Sequence, residues 1–469
     1  MKRSVMQRFN VDAKDDCDSI RPAEHNIALV VRGPQRPAWS FGLPHITHFT
    51  HTDVHVKLAI VGAGLQGIAL AARARHLGFS EQDLVIIDPC PRFADRFTRR
   101  TDNIGQYAMR SPITHHVAPA EDASLADYAR SAGRCLDASE HRQLDIARTG
   151  DYGLVARDVF LSHTAHVVAA HRLAASSMRM RVSTIHSDDA GGWFLADPTR
   201  THRVQAQTVI LALGQRVNLP RWAQEQSAVV SALTAPLGAY LGRVRRCVCV
   251  VGSGNTAAHV VAHALMRGIP VLWCVRRGIR VRCSDIAQRY VRTEGLAAFV
   301  RTSLQERSVL LADQWRGSAM VEHLGLIRTG ASRGLLRVRE GVEISEVLPT
   351  PLGAKVALND GTCEAADIVV NATGLVPEAL PEIVPSPPRQ GAFPCLSDAS
   401  LESVGCPGIY IAGPQAAMSL GPASKNIDGA RVAAERIFGD ICHNKLTSNV
   451  SNRAHPYLSQ WDHLMAIGS

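Results

Sequence analysis

Two short glycine-rich strings hold the residues of this chain best suited to chemistry. The first reads Lys57-Leu-Ala-Ile-Val-Gly62-Ala-Gly64-Leu-Gln-Gly67, and the second reads Cys247-Val-Cys-Val-Val-Gly252-Ser-Gly254-Asn255-Thr256-Ala257. Each leaves an apolar run and enters an alanine-rich one. At such a junction the first glycine permits a tight turn, and the second lets the backbone approach a pyrophosphate. A small third residue lets helix and strand pack closely. The helix that follows offers unbonded N–H groups and the positive end of its dipole to phosphate. One string alone would be a weak signal. Two in one chain predict that two dinucleotides are brought together, and hydride transfer is the chemistry that needs such a meeting.

The residues that close the two units differ. Asp88 stands at the end of the run Leu84-Val-Ile-Ile87, where a carboxylate accepts hydrogen bonds from ribose hydroxyls. The corresponding run Val271-Leu-Trp-Cys-Val275 ends instead at Arg276 and Arg277. A carboxylate repels a 2′-phosphate, whereas a guanidinium fork pairs with it. The second site therefore predicts NADP, with NAD as the alternative. A bare glycine turn and a solvated strand end are the readings these residues would have without a ligand.

The elements that must position them follow from periodicity and punctuation. Strand Leu58–Val61, a helix over Ile68–Leu77 ended by Gly78, and a strand at 84–87 make the first βαβ unit. Helical stretches are expected over Leu125–Ala132 and Ala156–Leu173, and a strand over Thr208–Leu213 closes at Gly214. The second unit runs from Arg246 to Arg277, with a helix over Thr256–Arg267 stopped by Gly268 and Pro270. A helix-leaning insert occupies 284–327. Strand Asp367–Ala372 meets Thr373-Gly374, and strand Gly408–Ala412 meets Gly413-Pro414. A last helix is expected over Asn426–Phe438. The fold class predicted is α/β, with two Rossmann-like, doubly wound, three-layer domains, the second inserted in the first. The boundaries read as a leader over 1–56, a first dinucleotide domain over 57–235 and a second over 236–390. The first domain then resumes over 391–440, and 441–469 is a polar tail.

Composition bounds the rest. With 469 residues, 46% hydrophobic and 20% charged, the chain is long enough for two or three globular domains. No apolar run approaches the roughly 18 residues of a membrane span, and the start of the chain lacks a signal peptide's apolar core. Eleven cysteines are scattered without a C-x-x-C pair, so the thiols read as reduced and the protein as cytoplasmic. Cys247 and Cys249 share one face of a single strand, which suits packing. The net charge of +9 comes mostly from dispersed arginines and has no basic run with interleaved aromatics, so nucleic acid is not an expected partner. His45, His48, His51 and His55 are spaced as on one helix face and could hold a metal there. The β-branched residues between them disfavour that helix, so no metal is expected.

With these pieces the chain resembles the two-dinucleotide-binding-domain flavoproteins, and within them the NADPH-dependent flavin monooxygenases. The resemblance covers roughly 57–440. It rests on Gly62–Gly67 with Asp88, Gly252–Ala257 with Asn255, the Asp367…Thr373-Gly374 link, and the Gly408–Pro414 strand with its helix. It implies FAD on the first string and NADPH on the second, with Thr256, Gly374 and Gly413 also near the cofactors. It further implies that the helix at Asn426 points its N-terminus at the flavin. The histidine of the Baeyer–Villiger fingerprint is absent from Glu225–Arg245, while the Asp367–Gly374 string is similar to one in lysine and ornithine N-hydroxylases. In the family the chain near Tyr107–His116 passes the flavin, so Arg110 and Ser111 are candidates to contact flavin or substrate. His115 is a candidate acid–base group, and Lys425 with Asn426 form a second group, the lysine suited to a substrate carboxylate. The activity implied is a single-component monooxygenase acting with molecular oxygen on a small polar molecule, N-hydroxylation of an amino acid or amine being favoured. The alternatives are an NADPH-dependent reductase serving a quinone or protein partner, and a flavin-binding sensor without turnover. His163 and His166 read as exposed or core polar residues, and oligomeric state is not readable.

Overall fold

Parallel strands, apolar on both faces, form two separate frames in this chain. The structure is a computed structural model describing residues 42–47, 53–119, 124–131 and 154–444, apart from 189–190, 200, 202, 225 and 285. In the first frame, strands Asp53–Val61, Leu84–Asp88, Ser177–Arg179 and Arg203–Leu211 run parallel, with Leu58 opposite both Leu84 and Thr208. Strand Ile409–Ile411, from the far end of the chain, adds in parallel beside Val209–Leu211. The whole makes an eight-stranded sheet. Leu84–Asp88 is buried throughout, and so are Leu58–Val61 and Thr208–Leu211, as parallel strands covered by layers on both faces must be. Helix Leu65–His76 packs on helix Ile427–Asn444, so the last helix completes the unit that the first began.

The second frame is a five-stranded parallel sheet. Strand Val248–Val251 lies between Ile368–Asn371 and Val271–Val275, flanked by Val229–Ser231 and Leu336–Glu340. Helices Asn255–Met266 and Leu324–Ser332 cover one face. The other face is covered by an antiparallel three-stranded sheet, Ile344–Thr350, Gly353–Leu358 and Cys363–Ala366, rather than by helices. Within that second core, Cys249 and Cys274 lie with their sulfurs 3.9 Å apart. The helix-leaning insert contains Thr293–Arg301 and Leu304–Gln314, and helix Leu324–Ser332 runs past its expected end at 327.

The two frames are joined by one antiparallel pair, Gln215–Val217 with Leu375–Pro377. Gly214 and Gly374 turn the chain at this crossing with φ of +70° and +89°, values glycine tolerates without strain. The crossing corrects the expected boundaries. Strand Val229–Ser231 already belongs to the second sheet, so that unit starts before 236. Strand Glu382–Val384 belongs to the first, where it pairs with Thr184–Ser187, so that unit resumes before 391. Three-residue strands carry too little periodicity to be placed without their partners.

The leader is corrected too. Asp53-Val-His-Val-Lys57 alternates polar and apolar residues and forms the half-exposed start of the first strand, not part of a leader. His55 is on that strand and His45 bridges to Arg92, so the two do not share a helix face. His48, His51 and the expected strand at 26–31 lie outside the described residues. At the other end the last helix runs to Asn444 and buries Ile441, beyond the boundary at 440. Among the described residues no helix is long and apolar enough to cross a membrane, and no group of three ligating side chains is placed to hold a metal.

Candidate active site between the two glycine turns

The first turn is built as its residue types require. Gly62 has φ +116°, and a Cβ there would run into the Ala212 carbonyl. A Cβ on Gly67 would strike the Gly62 carbonyl, so the helix sits directly on the strand end. Gly64 faces open space, with no atom within 4 Å of a built Cβ. Asp88 holds the turn from the neighbouring strand. Its Oδ2 accepts from the Ala63 N–H at 2.8 Å and its Oδ1 from the Cys90 N–H at 2.8 Å. Each oxygen keeps lone-pair capacity for a further donor such as a ribose hydroxyl.

The second turn repeats the plan. Gly252 has φ +137°, and a Cβ there would meet the Ala372 carbonyl, while Trp273 Nε1 donates to the Gly252 carbonyl at 2.6 Å. Gly254 differs from Gly64, because Gly317 of the insert lies against it, with its Cα 3.5 Å from a built Cβ.

One cavity of about 290 Å³ joins the two turns. Gly64, Gln66 and Asp88 line it from the first unit, and Asn255 with Thr256 from the second. Arg96, Arg100, Gln106, Leu375, Pro414 and Lys425 also reach it. Buried polar atoms with no partner among the described residues gather at its edge: Gln66 Oε1 and Asn255 Oδ1 belong to lining residues, and Ser424 Oγ is next to Lys425. Buried polar groups are normally bonded, so atoms left over at a cavity suit a polar ligand. Glycine cradles, carboxylate and helix N-termini together fit two dinucleotides.

The predicted site residues separate in space. Lys425 lines the cavity, and its ammonium lies 6.0 Å from the centre of the Trp315 ring, within cation–π range. The Asn426 carbonyl accepts from Gln66 Nε2 at 3.3 Å, alongside the Ser424 carbonyl at 2.6 Å, tying the last helix to the first turn. Gly413 has φ +76°, and a side chain there would displace Gln66. Arg110 does not line the cavity. Its guanidinium donates to the carbonyls of Arg282 (2.7 Å), Ser284 (3.1 Å), Ser318 (3.0 Å) and Cys283 (3.3 Å), and to Ser318 Oγ (2.8 Å). It fastens the first unit to the insert of the second. Ser111 is half-buried beside it and does not line the cavity either. His115 lies 3.9 Å from Asp428, and burial pulls its pKa below the usual value against the pull of that carboxylate. Arg276 faces Glu343 at 3.7 Å, and neither it nor Arg277 lines the cavity.

Some residues had no signal of their own. Arg96 and Arg100 reach the cavity from helix Asp95–Asn103, whose run of arginines just after Asp88 was the available hint. Two histidine groups are buried. His163 accepts from or donates to Ser124 at 2.9 Å and packs on His116 and Tyr128. His259 and His323 pack edge to face at 4.4 Å, and none of their four ring nitrogens has a protein partner among the described residues.

Fold and site together resemble those of the two-dinucleotide-binding-domain flavoproteins. A family model described as FAD-NAD(P)-binding matches residues 59–216, and one described as L-lysine 6-monooxygenase/L-ornithine 5-monooxygenase matches 167–329. The fold is that of the N-hydroxylating flavin monooxygenases. An ornithine N-hydroxylase from Kutzneria sp. 744, solved with reduced FAD, NADP+ and L-ornithine, is 16% identical over 82% of this chain and 99% of its own, with a TM-score of 0.67. The ornithine hydroxylase of Pseudomonas aeruginosa is 15% identical over 83% and 99%, with a TM-score of 0.66. L-lysine 6-monooxygenase from Pseudomonas syringae is 18% identical over 82% and 99%, with a TM-score of 0.61. No curated sequence matches the chain.

Proposed function

We propose that the protein is a single-component, cytoplasmic monooxygenase that uses FAD and NADPH to N-hydroxylate a small amine or amino acid. The observation that carries this reading is the single cavity lined by both glycine turns, from Asp88 to Asn255 and Thr256. FAD held there would supply the redox chemistry that links NADPH to oxygen. The chain supplies position. Asp88 accepts from ribose hydroxyls while holding the first turn in shape, and the N-terminus of helix Leu65–His76 faces the phosphates. Asn255 and Thr256 face the same space from the second helix. Lys425 puts a cation at the wall of the cavity, complementary to the carboxylate of an amino-acid substrate.

A reductase of disulfides is the weaker reading. Cys90 lines the cavity, but burial and the neighbouring Asp88 push its thiol pKa up, which disfavours the thiolate that exchange requires. A panel of amines, diamines and basic amino acids tests the proposal by NADPH oxidation, oxygen uptake and peroxide release. The expected result is one substrate class that suppresses peroxide and gains one oxygen atom by mass. If no amine suppresses peroxide release while an artificial acceptor is reduced quickly without oxygen, the protein is a reductase.

A further inference from the structure

The insert lays a strap across the second glycine turn. Residues 280–282 run beside 318–320, with Val281 bridging Ala319 in parallel. The Arg282 N–H donates to the Ala319 carbonyl at 3.1 Å, and the Ala319 N–H to the Arg280 carbonyl at 2.8 Å. Gly317 brings the strap onto the turn itself, since a Cβ on it would lie 2.7 Å from Gly254 Cα. The residue just before is Arg316. Its Nη2 donates to the Gly278 carbonyl at 2.8 Å, one residue past Arg277. Arg316 therefore reaches from the glycine turn to the end of strand Val271–Val275, the span between a dinucleotide's pyrophosphate and its adenosine ribose.

The charge around it is one-sided. Burial lowers the pKa of the Arg316 guanidinium, Arg280, Arg277 and Arg282 add to the shift, and Asp313 opposes it. Asp313 is itself held by Arg280 at 2.7 Å. Arg276, by contrast, is drawn toward Glu343. Like charges gathered beside a nucleotide turn are relieved by an anion.

We propose that Arg316, working with Arg277, binds the 2′-phosphate of NADPH and makes the second site choose NADPH over NADH. The assignment rests on the NADPH reading above and names the insert, rather than the strand end alone, as the source of cofactor choice. Arg110 holds both limbs of this strap through residues 282–284 and 318, so the first unit also fixes where Arg316 stands.

The test is equilibrium binding of NADP+ and of NAD+ to the oxidised, FAD-loaded protein by calorimetry. Arg316→Ala should weaken NADP+ about tenfold to a hundredfold and leave NAD+ within a factor of two. Arg316→Lys should recover part of the NADP+ affinity, because it keeps the charge without the fork. Unchanged FAD absorbance and thermal midpoint show that the variants are folded. Equal loss for both nucleotides, or no loss for either, overturns the assignment. A wild-type protein that binds NAD+ as tightly as NADP+ overturns the NADPH reading as well, and shows it before any variant is made.

Discussion

Arg110→Ala is the most informative single change in this protein. Among the described residues the side chain donates five hydrogen bonds across the junction, four to backbone carbonyls and one to Ser318 Oγ, at 2.7–3.3 Å. Hydrogen bonds from a charged donor contribute about 1.5–3 kcal/mol each, but five on one group do not add. Arg110 is half-buried, and water can reach part of the space it leaves. We therefore expect a loss of about 2–4 kcal/mol from the attachment of the insert, not from either core. The functional effect should be larger than the structural one. Reacting atoms displaced by about 1 Å lose roughly a hundredfold in rate. The assay is anaerobic stopped-flow reduction of bound FAD at saturating NADPH, beside FAD content and thermal unfolding. Full FAD content, a lower unfolding temperature and a reduction rate lower by about ten- to a hundredfold are expected. Arg110→Lys should recover little, because one ammonium cannot reach carbonyls on both limbs of the strap. A variant that reduces FAD at the wild-type rate with an unchanged unfolding temperature would refute the reasoning.

Asp88→Ala removes the acceptor for two backbone N–H groups and the carboxylate facing the cavity. FAD affinity should fall by about 2 kcal/mol, near thirtyfold, read by retention of flavin absorbance on dilution. Gly62→Ala and Gly64→Ala should part company: the first combines φ +116° with a collision at Ala212 and should destabilise by about 3 kcal/mol, while the second meets open space and should fold but bind FAD poorly. Circular dichroism melts with flavin titration separate these outcomes. Burial lowers the pKa of His323 from 6.5 to about 4, with His263 and Arg110 adding to the shift, and buried His259 moves the same way. The unfolded chain then binds more protons than the folded one between those values, so stability is full above pH 6.5 and falls as pH drops toward 4. The part due to His323 is about 3 kcal/mol. His323→Leu should flatten the dependence of the urea midpoint between pH 7 and pH 5; an unaltered slope counts against it.

Much of this protein was legible before any fold was seen. Gly62, Gly64, Gly67 and Asp88, and then Gly252 and Gly254, act locally. The glycines of each turn lie within a few positions of one another, and Asp88 closes the first from the end of the next strand in the same βαβ unit, so types and spacing already specify them. The order of the elements around them follows from the same local punctuation. The crossing at Gly214 and Gly374 was not legible, because strands of three residues gain their identity only from partners more than a hundred residues away. Nor was the role of Arg110, whose acceptors lie on two segments, at 282–284 and at 318, and are mostly backbone carbonyls that every residue type carries. The same holds for Arg316. Its neighbours in sequence say nothing of Gly254, and only the contact between Gly317 and Gly254 brings it to the second turn. The sequence by itself thus determined the two glycine turns and the sign of the charge that ends each unit. The tertiary structure alone decided how the turns face one cavity and which distant arginines fasten and flank the second turn, because guanidinium placement depends on long-range packing that no local pattern encodes.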